Sequence, residues 1–161
     1  MRRGRIVIGI GNPDRGDDAV GIAVARRLRG TLPADVEIAE HDGEPAALVA
    51  AFDGVATAIL VDACATGAPA GTIHRIDLGE QSLPPRGPAL SSHGLGVAEA
   101  LALARALGHF PPRCIAYAIE GGSFDIGAGL SPPVVAAVAA VVRQLRAELF
   151  AQEPPTCTKP R

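Results

Sequence analysis

Arg5-Ile6-Val7-Ile8-Gly9-Ile10-Gly11-Asn12-Pro13-Asp14-Arg15-Gly16-Asp17-Asp18-Ala19-Val20-Gly21 is the stretch on which the reading of this chain turns. It opens with an apolar run and passes through a loop of Gly, Asn and Pro ending in two adjacent carboxylates. A helical pattern follows from near Asp18 to about Arg29, with Val20, Val24 and Leu28 at i, i+4 and i+8. A strand that stops at a glycine loop and hands over to a helix opens a parallel α/β domain. In such domains sites form at the carboxyl ends of the strands. Two acids at that edge need a reason.

The rest of the chain repeats the alternation. Val36–Ala39 reads as a second strand ending at His41-Asp42-Gly43, and a short helix is expected over Ala46–Phe52 behind Pro45. Ala56–Val61 is a near-continuous apolar run, as in a strand buried on both faces, and it ends at Asp62. Thr72–Leu78 alternates, and its link to the preceding strand is too short for a helical crossover, so it is placed antiparallel at an edge. Gly79–Leu90 reads as an irregular surface loop. A helix from His93 to Leu107 follows, capped by Ser91 or Ser92 and closed by Gly108. Cys114–Ile119 is the last strand. Ser131 is expected to cap a final helix whose apolar stripe is Val134, Val138, Val141, Leu145 and Leu149.

The expected fold is thus an α/β three-layer sandwich. Its twisted, mostly parallel sheet has five strands, one edge strand antiparallel, with helices on both faces and right-handed crossovers. Residues 1–150 are read as a single domain and 151–161 as a disordered tail.

Composition narrows the function classes. The chain has 161 residues, 48% apolar and 20% charged, with a net charge of −2. That balance gives no electrostatic case for nucleic acid or an acidic membrane surface. No apolar run approaches the roughly 20 residues of a membrane span. Cys64, Cys114 and Cys157 are odd in number and unpaired in spacing, which suggests a reducing, cytoplasmic setting. A dinucleotide fingerprint fails because Asp14 stands where its third glycine belongs, and no lysine completes a Walker loop. Neither Cys64 nor the serines sit in a nucleophile elbow.

What remains is a set of polar residues at one edge: Asp17-Asp18 after the first strand, Asp62 after the third, and His93 at the head of the long helix. Asp42 and Glu120 are possible outer members, and Cys64 is either buried or an accessory ligand. Carboxylate and imidazole together suit nickel, zinc or iron, with positions left for substrate or water. Each residue also has a plain structural reading. Asp17 or Asp18 can cap the first helix, Asp62 can make a turn, and His93 can belong to an N-cap.

These residues resemble a known family. Gly9-x-Gly11-Asn12, Gly16-Asp17-Asp18-Ala19-Val20-Gly21, Val61-Asp62-Ala63 and Ser92-His93-Gly94-Leu95-Gly96 together are similar to the hydrogenase maturation proteases, in order and over nearly the whole chain from Ile6 to about Leu149. The resemblance implies an endopeptidase that removes the C-terminal extension of a nickel-iron hydrogenase large-subunit precursor after nickel insertion. It carries the metal-binding positions onto Asp18, Asp62 and His93, which are also the candidates for catalysis. Gly9, Gly11, Asn12, Asp17 and Gly43 become the supporting loops. The nickel would come with the substrate rather than reside in the enzyme. The expected partner is that precursor, with no nucleic acid or membrane, and the chain is expected to act as a monomer. The alternative is a non-enzymatic nickel-binding assembly factor. Two departures stand out. The first-loop ligand is a glutamate in some members and is Asp18 here. The family's frequent Asp-Gly-Gly-Thr is replaced by Asp42-Gly43-Glu44-Pro45.

Overall fold

The structure is a computed structural model that describes residues 4–79 and 94–152. Five strands, β1 (Arg5–Ile10), β2 (Val36–His41), β3 (Thr57–Cys64), β4 (Ile73–Asp77) and β5 (Arg113–Glu120), form one sheet in the order β2-β1-β3-β5-β4. All neighbours are parallel except β4 and β5, which run antiparallel. The short β3–β4 link therefore reverses the chain at the sheet edge, as its length requires. Four helices, α1 (Val20–Leu28), α2 (Pro45–Ala51), α3 (Gly94–Ala106) and α4 (Pro132–Ala151), cover the two faces.

Strand alternation sorts the core into two halves. Ile6, Ile8 and Ile10 of β1, Ala58 and Leu60 of β3, and Ala116 of β5 face the layer built on Leu48 of α2 and Leu101 of α3. Val7, Ile59, Val61 and Tyr117 face the layer of α1 and α4. The stripes expected on α1 and α4 are buried throughout. Central β1, β3 and β5 are nearly solid with Ile, Val, Leu and Ala because both faces are covered. Edge strand β2 is only half-buried.

Four details differ from the sequence expectation. Helix α1 begins at Val20, not near Asp18, because Gly16–Ala19 forms a 3₁₀ turn first. Strands β3 and β5 run on to Cys64 and Glu120. Their parallel pairing continues through Asp62↔Ala118, Ala63↔Ile119 and Cys64↔Glu120, so Asp62 lies within a strand and not after it. Ser131 occupies the N-cap position of α4 but makes no side-chain cap bond; its hydroxyl goes to Asp17 instead. Glu44 caps α2, accepting from Ala46 N at 3.0 Å and Ala47 N at 2.8 Å. The expected capping of the long helix by Ser91 or Ser92, the Gly79–Leu90 loop beyond Gly79, and the C-terminal tail beyond Gln152 lie outside the described residues.

Close approach of α1 to the sheet explains Gly21. A Cβ built there would collide with the backbone carbonyls of Val61 and Ile10, neither of which can move without breaking the sheet. Gly21→Ala is expected to cost about 1–3 kcal/mol through forced backbone shifts, read as a lowered midpoint in urea unfolding with an unchanged slope.

Candidate active site at the carboxyl edge of the sheet

The candidate site starts where β1 stops. β1 pairs with β3 as far as Gly9↔Val61, so from Asp62 onward β3 is flanked by β5 alone on its paired side. The chain leaving β1 turns into the 12–18 loop at that opening. Gly11, at φ +148°, lets the backbone turn there; a Cβ on it would fall on the Asp18 carbonyl. Its N–H donates to His41 O at 3.0 Å, which binds the loop to the end of β2. Asn12 accepts from Asp14 N through its side chain at 2.9 Å, an Asx turn. Its own N–H donates to Asp18 Oδ2 at 3.0 Å. The loop thus closes on the carboxylate it presents.

Asp18 is fully buried and Asp62 is 1% exposed. Asp62 Oδ1 accepts from Ala63 N at 2.8 Å. The 3₁₀ turn bearing Asp18 is in contact with β3, so both acids belong to the same edge. Burying two carboxylates there is costly unless something stabilises the charge. His93, the third member of the expected set, lies outside the described residues, one position before α3.

Asp17 has a different task from its neighbour. Its Oδ2 accepts from Gly122 N at 2.7 Å, Ser123 N at 3.1 Å and Ser131 Oγ at 2.8 Å, and its Oδ1 from Ser131 N at 2.7 Å. Burial works against its charge. The bonds from Ser131 N, Gly122 N, Ser131 Oγ and Ser123 N outweigh it and hold the carboxyl below the ordinary aspartate range. In the other direction Asp17 N donates to Ser123 O at 2.8 Å. The first loop, the loop after β5 and the head of α4 therefore meet on one carboxylate.

A groove of about 410 Å³ opens beside the Asp18 loop, lined by Gly11, Pro13, Ile22, Glu40, His41 and Asp42. Gly43, at φ +91°, turns the chain from β2 toward α2. Asp42 is exposed there, and its Oδ1 accepts from Glu44 N at 3.0 Å. Asp42, the first residue of the Asp42-Gly43-Glu44-Pro45 segment, lines this groove, and Glu44 and Pro45 follow it into α2. Glu40 faces α1 as well, paired with Arg26 at 2.8 Å and Arg29 at 2.7 Å.

Beyond Asp62 on the same face of β3 is Cys64, next to Glu120 of β5. Glu120, 1% exposed, accepts from Thr66 N at 3.1–3.2 Å and from Thr66 Oγ1, and lies 3.2 Å from His74 Nε2. Burial opposes its ionisation, but Thr66, His74 and the Cys64 thiol together keep its carboxyl below the usual glutamate range. Burial, with Glu120 and then Asp62 adding to it, pushes the Cys64 thiol up to about 12. His74 and Thr66 were not picked out as site residues from the sequence. The alternation Ile73-His74-Arg75-Ile76 puts His74 on the face of Ile76. Its meeting with Glu120 depends on β4 pairing β5, which α3 separates from it in the chain.

A model of the hydrogenase maturation protease family matches residues 22–148. The chain belongs to this family. It is accordingly a peptidase, a hydrolase of peptide bonds. Among solved structures, the hydrogenase maturating endopeptidase HybD from E. coli is 25% identical, with a TM-score of 0.76 over 92% of this chain and 93% of that one. The [NiFe] hydrogenase maturation protease HybD from Thermococcus kodakarensis is 20% identical, with a TM-score of 0.75 over 91% and 99%. HycI from the same organism is 23% identical, with a TM-score of 0.73 over 92% and 93%. A comparison with curated proteins finds no match. The family's mostly parallel five-stranded α/β fold, with its antiparallel edge, is the one described above. Among the described residues no helix is long and apolar enough to cross a membrane.

Proposed function

We propose that this protein removes the C-terminal extension of a nickel-iron hydrogenase large-subunit precursor after nickel insertion, and that it recognises the nickel held by that substrate. The observation that carries this reading is the burial of Asp18 and Asp62 at one sheet edge, in a chain of this peptidase family. Asp18, Asp62 and His93 form the proposed recognition set. Two carboxylates and an imidazole leave a coordination sphere incomplete, which suits an ion that keeps ligands from the substrate. Asn12 N, bonded to Asp18 Oδ2, aims the first carboxylate, and the Asp62 carboxylate is steadied by Ala63 N.

The groove bounded by Gly11, Pro13 and Asp42 is the proposed seat for peptide running away from the ion, so Asp42-Gly43-Glu44-Pro45 would tune which hydrogenase is served. At the scissile bond, the substrate-held nickel can polarise the carbonyl or acidify an attacking water. As the acids of the proposed set, Asp18 and Asp62 would accept the water's proton. A reducing, cytoplasmic setting and a monomeric enzyme are part of the proposal; the two described cysteines, Cys64 and Cys114, are unbridged.

The test is an intact-mass spectrum of nickel-loaded precursor before and after incubation with this protein. The expected result is one shortened product and one released peptide. A stable complex with the precursor mass unchanged would make the protein an assembly factor instead.

A further inference from the structure

A second group of metal-ligating side chains lies beside, and apart from, the Asp18–Asp62 pair. Cys64 of β3, Glu120 of β5 and His74 of β4 come from three adjacent strands and point to the same face of the sheet. Their donor atoms, one sulfur, one imidazole nitrogen and one carboxylate oxygen, all lie within 4.8 Å of one another. Ligands 2.0–2.3 Å from a tetrahedral ion are about 3.3–3.8 Å apart. The 3.2 Å between His74 Nε2 and Glu120 Oε1 already meets that spacing. The remaining closure is at most about 1.0–1.5 Å, within reach of a half-buried His74 ring.

We propose that Cys64, His74 and Glu120 bind a zinc-class divalent transition ion as a site resident in the protein, separate from the nickel carried by the substrate.

Three features support this assignment. The donor set of thiolate, imidazole and carboxylate is that of zinc, cobalt and nickel sites rather than of magnesium or calcium. Glu120 is a buried carboxylate, and among the described residues its one ion-pair partner is His74. Thr66 N donates to both oxygens of that carboxylate and Thr66 Oγ1 to Oε1, as outer partners orient a ligand. Exposure is graded: Cys64 is fully buried, whereas the His74 side chain is 31% exposed and marks an entry path from the β4 edge. Three protein donors leave a fourth position for water or an incoming thiolate. On binding, the ion displaces the thiol proton to solvent and forms the metal–sulfur bond, with no change in oxidation state.

Cobalt(II) is the probe, because a cysteine thiolate bound to it gives a sulfur-to-metal charge-transfer band that carboxylates and imidazoles do not. Chelator-treated protein is titrated with Co²⁺, then with Zn²⁺ in competition. The expected result is one equivalent with a thiolate band, displaced by Zn²⁺, and retained by the double variant Asp18→Asn/Asp62→Asn. Cys64→Ser should abolish the band, and His74→Asn should weaken binding by more than about 100-fold, beyond the loss of an outer partner. Because His74 is half-buried, its variant keeps the measurement decisive if Cys64→Ser fails to fold. Binding without a thiolate band, a band that survives Cys64→Ser, equal affinity in His74→Asn, or no binding would each overturn the proposal. Processing activity is not the readout, so failure here leaves the proposed peptidase reaction untouched.

Discussion

Asp62→Asn is expected to abolish precursor processing while leaving the fold in place. The amide keeps an oxygen where Oδ1 accepts from Ala63 N, so the local strand geometry has no reason to change. What is lost is the negative charge on a side chain 1% exposed at the open side of β3. A neutral amide is a poor ligand for a divalent transition ion and no acceptor for a proton. Removing even an outer partner of a metal site costs about 10–100-fold, and loss of a direct ligand should exceed that. Asp18→Asn should behave alike, since Asn12 N can still bond the amide oxygen. The check pairs two measurements: thermal unfolding within a few degrees of the parent, and product mass undetectable over a time in which the parent completes the reaction. A variant that processes at the parent rate would remove Asp62 from the reaction.

Asp17→Ala should produce the opposite pattern, a large loss of stability from a residue next to a proposed ligand. Its carboxylate collects four hydrogen bonds, three of them from backbone N–H groups with no other acceptor assigned to them. Leaving partly buried donors unmet costs about 1–3 kcal/mol apiece, and bonds to a charged acceptor are the stronger kind. Allowing for relaxation of the two loops, a loss of about 3–5 kcal/mol is expected. Asp17→Asn should fall between, about 1–3 kcal/mol, because its amide group must face at least one of these N–H donors. The pH dependence has a definite sign. The folded pKa is depressed, so Asp17's contribution is complete above the unfolded value of about 3.9 and drains away as pH falls through the folded one. Asp17→Asn should therefore flatten the acid limb of the stability profile below about pH 4 and leave the slope at neutral pH unchanged. Denaturant unfolding of both variants across that range is the measurement. An unchanged acid limb would contradict the assignment.

These two aspartates, adjacent in sequence, show what could be read from the chain and what could not. The strand–glycine loop–helix opening was legible because local chemistry dictates it: an apolar run, a residue forced into a tight turn, then a 3.6-residue stripe. The antiparallel placement of β4 followed from a link too short for a crossover. The direction of Asp17 was not legible in full. Its acceptors' partners lie 105 to 114 residues away, on the β5–α4 loop and Ser131. For the same reason Ser131 looked like a helix cap: its hydroxyl fits that role locally, and a long-range carboxylate outcompetes the cap. The apolar run marks Asp62 as an edge residue but ends β3 at Val61. Nothing in one sequence says that β5 continues pairing to Glu120 while β1 stops at Gly9. The meeting of Cys64, Glu120 and His74 depends on strand order, which no local pattern encodes.

In the proposed function, the buried acids at the sheet edge read nickel on the substrate. The most direct measurement is processing of two preparations of one precursor, nickel-loaded and nickel-free, by the same purified enzyme, followed by intact mass. A single cleavage is expected in the loaded precursor and none in the nickel-free one. Cleavage of both at comparable rates would contradict it.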